Sequence, residues 1–315
     1  MAAVLTFGET MALVRATEIG GWETASAAHI SVGGADSNVA IGLARLGVPV
    51  AWIGRVGDDP LGRRVDREIR AEGVLTTSIV DDHHPTGLML KEQRTPVHTR
   101  VSFYRAGSAG SALRAEDIGD DAIAAAEIVL VNGVTAALSP TARAAVLSVA
   151  ARARTFGTEV VFDVNHRPSL WRGRDPLPTY LEIAECADVL FAGEDEARLL
   201  LATEGGSAAD LARALARSGP AEIIVKSGAD GATGLSDGQL RHVRAVPIVP
   251  VDTVGAGDAF VAGYLAARLR GATLEERLSL GARCGAFACM GPGDWESLPR
   301  TADIALLGAA DPVER

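Results

Sequence analysis

The run Val251-Asp252-Thr253-Val254-Gly255-Ala256-Gly257-Asp258-Ala259-Phe260 sets two closely spaced glycines just before a carboxylate at the head of an Ala- and Leu-rich stretch. Gly255 and Gly257 let the backbone turn tightly and approach a ligand closely. Their amides, with the N-terminus of the helix expected from about Asp258, form a site suited to anionic oxygens. A carboxylate beside that site could take a proton from a hydroxyl. An anion hole next to a base is what phosphoryl transfer to an alcohol requires, because the protein mainly positions groups and neutralises developing charge. For Gly-x-Gly-Asp alone, a helix N-cap with two turn glycines is the plainer reading. The whole string between a β-rich stretch (Val246 to Val251) and a helix favours the chemistry.

Something must position that loop, and the chain offers short β-rich runs alternating with longer amphipathic ones. Val4 to Phe7, Val50 to Ile53, Ile128 to Val131, Val160 to Phe162, Val189 to Phe191 and Ile223 to Val225 read as buried strands. Asn38 to Leu46, Leu61 to Ala71, Thr141 to Thr155, Glu194 to Leu201 and Ala208 to Arg217 read as helices, followed by two more over Ala259 to Arg270 and Leu274 to Met290. Strands alternating with helices predict an α/β fold, a doubly wound, mostly parallel sheet flanked by helices. Two excursions interrupt the alternation, Thr10 to Val32 and Gly87 to Tyr104, the second with a polar turn at Gln93 to Pro96. Together they predict a small β lid on a single domain spanning residues 1–315. Pro176 and Pro178 mark a loop.

Composition narrows the partners. The 315 residues are 48% hydrophobic and 22% charged, which suits one large core with an appendage. A formal net charge of −10 argues against nucleic acid and against an anionic membrane surface. No apolar run approaches the roughly 20 residues that span a bilayer. Cys186, Cys284 and Cys289 cannot all pair within one chain, which points to a reducing, cytoplasmic setting.

The 251–260 string resembles the C-terminal signature of the ribokinase-like carbohydrate kinases of phosphofructokinase-B type. An N-terminal counterpart, Val32-Gly33-Gly34-Ala35-Asp36-Ser37-Asn38-Val39-Ala40, is followed by Leu43-Ala44-Arg45-Leu46-Gly47 and Gly54-Arg55-Val56-Gly57-Asp58-Asp59. The resemblance covers essentially the whole chain. It implies ATP as phosphoryl donor with Mg²⁺, Asp258 as base, and Gly255, Ala256 and Gly257 around the transferring group. It implies that Gly33, Gly34 and Asn38 face the sugar. The strand-ending turn Lys226-Ser227-Gly228-Ala229-Asp230-Gly231 would border the nucleotide, with Lys226, Ser227, Gly228, Gly231 and Gly257 binding it; alone it is equally a hairpin turn. Asp252 and Thr253 resemble positions of a monovalent-cation (K⁺) site, and Asp252 could equally be turn chemistry. Glu196 resembles a carboxylate that reaches Mg²⁺ through water, although Gly193 stands where similar kinases carry Asn. Acidic residues at 194–196 also suit a helix's first turn.

Two further strings, Phe103-Tyr104-Arg105-Ala106-Gly107-Ser108-Ala109-Gly110-Ser111-Ala112 and Phe162-Asp163-Val164-Asn165-His166-Arg167-Pro168-Ser169-Leu170-Trp171, resemble segments of 2-keto-3-deoxygluconate kinases. Arg167, at a strand's C-terminal end where α/β sheets bind ligands, is then the candidate bidentate partner of a substrate carboxylate, with Arg105 as a second. Met89 and Phe103 line the same pocket where those enzymes tend to carry Tyr. The expected acceptor is a sugar acid, with a neutral sugar or a nucleoside as alternatives, and a non-catalytic sugar sensor as the rival from another class. Apolar outer faces of the lid strands could pair two copies into a homo-oligomer. A dinucleotide Gly-x-Gly-x-x-Gly after the first strand and a Gly-x₄-Gly-Lys-Ser/Thr loop are both lacking.

Overall fold

A computed structural model of the chain describes residues 2–95 and 98–308. In chain order the first third comprises β1 (Val4–Phe7), β2 (Met11–Ile19), β3 (Ala28–Gly33), α1 (Ala35–Arg45), β4 (Val50–Gly57), α2 (Pro60–Ala71), β5 (Leu75–Asp81), β6 (Leu88–Thr95) and β7 (His98–Tyr104). The middle holds α3 (Asp120–Ala124), β8 (Ile128–Asn132), α4 (Gly133–Leu138), α5 (Pro140–Phe156), β9 (Glu159–Asp163), α6 (Pro168–Trp171) and α7 (Leu177–Cys186). The remainder is β10 (Val189–Gly193), α8 (Glu194–Leu201), α9 (Ala208–Leu215), β11 (Glu222–Lys226), β12 (Ala232–Ser236), β13 (Gln239–Val243), α10 (Ala256–Arg268) and α11 (Leu274–Ala288).

The nine-stranded sheet has the order β13-β12-β11-β10-β9-β8-β1-β4-β5. From β11 to β5 every neighbouring pair is parallel, and the β12–β13 hairpin adds an antiparallel edge. The central strands send alternate side chains into two cores, as a period of two requires. Val4, Ile128, Val161, Phe191 and Ile224 enter one core with residues of α1, α2, α10 and α11. Leu5, Val129, Val160, Leu190 and Ile223 enter the other with residues of α5, α7 and α9. Scarce aromatics are concentrated where they count: the Phe191 and Tyr264 rings meet edge-on at 5.1 Å. Local chemistry fixes the helix ends. Asp59 caps α2 ahead of Pro60, Ser139 caps α5 ahead of Pro140, and Gly157 closes α5 in the left-handed conformation.

A separate sheet of order β3-β2-β6-β7 stands apart from the large one. Its central β2–β6 pair is parallel and its two outer pairs are antiparallel. Only Met11, Leu13 and Met89, with Val101 against them, make up its apolar cluster. The expected α/β class, a doubly wound mostly parallel sheet with a small separate β element, is what the chain adopts. Pro96 of the expected turn lies outside the described residues.

Two local expectations need correction, and three strands carried no clear signal. Residues 244–250 form no strand, because Pro247 and Pro250 carry no amide hydrogen for a ladder. Pro176 and Pro178 open α7 instead of a loop, which suits a residue whose missing donor is free of cost in the first helical turn. The strands β5, β12 and β13 went unread because they sit at the sheet's margins, where half-exposed faces carry Thr, Ser, Gln and Arg.

Candidate active site

The order of the large sheet reverses at β1, whose neighbours are β8 and β4, and ligands of such sheets bind at the strands' C-terminal ends. There the loop after β13 enters α10. Gly255 is the N-cap at φ +79°, a conformation that favours glycine, and a side chain on it would strike the carbonyl oxygen of Asp294. A side chain on Gly257 would instead meet only Lys226 Nζ, at 3.8 Å, so this glycine leaves open space at the helix N-terminus. The first-turn amides of α10 have no acceptors within the helix and can serve an anion.

Asp258 lies in that first turn and is 8% exposed. One carboxylate oxygen accepts a hydrogen bond from Asn38 Nδ2 at 2.8 Å and the other from Asn165 Nδ2 at 3.4 Å. Asn165 reaches it from a φ of +39°, which Asn tolerates better than most residues. Burial pushes the Asp258 carboxyl up to about 7; the Asn38 bond opposes this and the Asp163 carboxylate reinforces it. A carboxyl poised near neutrality suits proton abstraction. Behind it sits a carboxyl that sequence reasoning passed over. Asp36 accepts from Thr135 Oγ1 at 2.8 Å, and burial pushes it up to about 8.

Above Asp258 a cavity of about 430 Å³ opens between the two sheets. Gly34 and Asn38, Met89 and Phe103, Gly255 and Gly257, Arg105 and Arg167 all line it. Gly33 lies just behind the wall, where a side chain would press on Met89 Cε and Asp294 Oδ2, both at 2.5 Å. Met89 and Phe103 are direct cross-strand partners, so the two positions expected for Tyr form one patch. The two arginines differ. Arg105 already forms an ion pair with buried Glu9 at 2.5 Å and lies 5.6 Å over the Phe103 ring, so it is not a free carboxylate clamp. Glu9, two residues before Met11 of the lid's buried cluster, supplies the correction. Arg167 is exposed, donates to the carbonyl of His166 and, among the described residues, forms no salt bridge, although its charge acts on Asp163 and Asp258.

A second cleft of about 750 Å³ lies beside the first, bordered by Gly193, Glu194, Glu196, Lys226, Ser227 and Gly228. Lys226 borders both, with Nζ 2.8 Å from Asp163 Oδ1. Burial opposes its charge, but Asp163 and Glu196 raise it on balance, so Lys226 is held protonated. Gly231 lies outside both clefts. It turns the β11–β12 hairpin at φ +102°, packed on Val243 and Arg244. Glu196 spends both oxygens on backbone amides, of His166 at 2.7 Å and Gly193 at 2.6 Å. Nothing but Glu196 itself lies within 4 Å of where a Gly193 side chain would begin, so the missing Asn leaves room. Among the described residues no three acidic, His or Cys side chains converge as a ready-made metal cage. Asp163 Oδ2, buried and without a hydrogen-bond partner among the described residues, is a hard oxygen that fits a hydrated Mg²⁺ there, and the Glu196 carboxylate, already accepting two amides, could add to it only through water.

Asp252 is not open to an exchangeable ion. Its Oδ2 lies 2.5 Å from the Nζ of Lys91, which also reaches the carbonyl of Gly293 at 3.0 Å and Asp294 Oδ1 at 3.3 Å. The expected monovalent-cation site therefore already holds a side-chain ammonium. Lys91 follows Met89 by two in β6 and so shares its inward face, which was the available signal.

The comparisons agree with this architecture. The model of the pfkB family carbohydrate kinases matches residues 1–301. The 2-dehydro-3-deoxygluconokinase of Bacillus subtilis (strain 168) is 35% identical over 307 residues, covering 96% of this chain and 94% of that protein. The 2-dehydro-3-deoxygalactonokinase of Haloferax volcanii is 35% identical over 295 residues, covering 93% and 92%. The crystal structure of a PfkB protein from Polaromonas sp. JS666 superposes with a TM-score of 0.88 at 34% identity, covering 98% of this chain and all of that one. With a glycine loop at a helix N-terminus, a buried carboxyl in that helix's first turn and this similarity along nearly its full length, the chain belongs to the pfkB family of carbohydrate kinases and is a phosphotransferase.

Proposed function

We propose that this kinase transfers the γ-phosphoryl group of ATP to a hydroxyl of a 2-keto-3-deoxy sugar acid, with 2-keto-3-deoxygluconate (also written 2-dehydro-3-deoxygluconate) as the foremost acceptor. One observation carries the choice of an acid. Arg167 is a guanidinium that, among the described residues, forms no salt bridge; it stands on the wall of the cavity whose floor is Asp258, and a planar guanidinium binds a carboxylate bidentately. The names of the two 35% identical relatives support the same class.

In this reading the acceptor lies between the small sheet and Asp258, its carboxylate on Arg167 and its chain against Met89, Phe103, Gly34 and Asn38, with Gly33 behind that wall. The acceptor hydroxyl oxygen forms a bond to the γ-phosphorus while its proton passes to Asp258, and the bond from that phosphorus to the bridging oxygen of ADP breaks. Amides of Gly255, Ala256 and Gly257 receive the transferring oxygens. Lys226, Ser227 and Gly228 border the nucleotide, and Lys226 sets a positive charge between donor and acceptor. Mg²⁺, when bound with ATP, neutralises charge on the phosphates; Asp163 and Glu196 would hold its water shell. Asn38 and Asn165 orient the Asp258 carboxylate.

Turnover of 2-keto-3-deoxygluconate beside gluconate, fructose, ribose and adenosine tests this. The acid should be preferred, and Arg167→Ala should raise its KM by about 100-fold, consistent with losing a charged hydrogen-bonding pair. Equal turnover of fructose or ribose, unaffected by Arg167→Ala, would leave a kinase of neutral sugars.

A further inference from the structure

Lys91 is 2% exposed and is among the largest fully buried side chains, an unusual place for an ammonium. Among the described residues it donates to the Gly293 carbonyl at 3.0 Å and Asp294 Oδ1 at 3.3 Å and forms an ion pair with Asp252 Oδ2 at 2.5 Å. Both segments it joins touch the anion hole. The second Asp252 oxygen accepts from the amide of Val254 at 3.2 Å, one residue before Gly255. The Asp294 carbonyl lies where only a glycine at 255 leaves space. We propose that Lys91 is a positioning residue, a tethered cation that fixes the Asp252–Gly257 loop from the small sheet and makes turnover independent of exchangeable monovalent cations. This rests on the kinase reading above, in which that loop receives the transferring phosphoryl group.

Two buried carboxylates must be compensated, or their desolvation goes unanswered. An exchangeable ion bound by the same oxygens would leave the small sheet free of the loop. A lysine does not. Met89, two residues earlier on the same face of β6, lines the acceptor cavity, so the loop's charge balance and the acceptor wall share one strand. Removing the ammonium would leave two carboxylate oxygens and a carbonyl oxygen converging on one point, a donor set that hard cations accept.

The test compares wild type, Lys91→Ala and Lys91→Met in KCl and in choline chloride at one ionic strength, about 0.1 M. Wild-type turnover of 2-keto-3-deoxygluconate should be equal in the two salts. Lys91→Ala should lose about 100-fold in choline, as expected for a displaced catalytic loop, and regain about tenfold or more in KCl, where K⁺ occupies the vacated oxygens. Lys91→Met, whose thioether end fills the space, should stay low in both. Activation of wild type by K⁺ of about tenfold, or an Ala variant indifferent to the salt, would overturn the proposal. If the wild type phosphorylates no sugar acid, the functional reading fails on its own. Thermal unfolding then decides the Lys91 question: KCl should raise the Tm of Lys91→Ala relative to choline and leave wild type unchanged, and equal shifts would sink it. Should Lys91→Ala not fold, the wild-type salt comparison and Lys91→Met decide alone.

Discussion

The two sheets are held by different physics. The large one buries apolar side chains on both faces, in two cores whose members alternate along each central strand. The small one gathers an apolar cluster of just Met11, Leu13 and Met89 and relies on charge: Lys91 with Asp252 and Asp294, Arg105 with Glu9, and Glu92 accepting from the Trp22 amide at 2.8 Å. Apolar burial is non-directional and tolerates many sequences, whereas a buried ion pair demands particular partners. The large sheet is thus a scaffold, and the small sheet is joined to the site through the groups that matter there.

The sharpest break of this contrast is at the junction itself. Asp258→Asn should lower kcat by about 10³-fold with the fold retained, since it deletes the proposed proton acceptor and keeps the shape; steady-state kinetics with a thermal melt will show it, and a loss under tenfold would remove Asp258 from the role of base. Within the scaffold, Ile224→Ala should cost about 3 kcal/mol of global stability in denaturant titration, as a cavity in a packed core does. Glu9→Gln, which leaves Arg105 without its partner, should instead speed hydrogen exchange in β2, β6 and β7 while amides of β9 and β10 stay protected. Uniform exchange changes would contradict the division of labour.

Smaller effects separate the two raised carboxyls. Asp258 must be ionised to accept a proton, so kcat/KM should fall about tenfold per unit as pH drops below its value of about 7. Asp36 gives a stability signal. Burial pushes its folded carboxyl up to about 8 from the ordinary 3.8, so between those values the folded chain binds the extra proton and the unfolded chain does not. Stability contributed by this group is therefore present at low pH and declines as pH rises through that window. Asp36→Asn should flatten that decline in melts run from pH 5 to 8.

What could be read from the sequence follows the same divide. Val4, Val160 and Ile224 sit in short apolar runs, so their strands were legible, and Gly255, Gly257 and Asp258 carry a spacing dense enough to name the chemistry. Lys91, Asp36 and Asp294 were not legible as buried, because nothing local distinguishes a paired buried charge from a solvated one; the partners lie 161 or more residues away for Lys91, and about a hundred for Asp36. Arg105 misled for that reason, its partner Glu9 lying 96 residues upstream. Val246 to Val251 misled by composition, since β-branched residues outweighed two prolines.

The loop after α11 bears on how the chain reaches this state. Trp295 Nε1 donates to the Val32 carbonyl, Arg45 donates to the carbonyls of Trp295, Glu296 and Leu298, and Lys91 meets Asp294, contacts spanning more than 200 residues. Such distant pairings form late, because loop closure must be met before they reward it. During synthesis the parallel strands can assemble from the N-terminus onward, but the ammonium of Lys91 waits for Asp252 and Asp294. A ribosome stalled before residue 294 would hold a nascent chain with most of its scaffold but with the Asp252–Gly257 loop not yet tied to the small sheet.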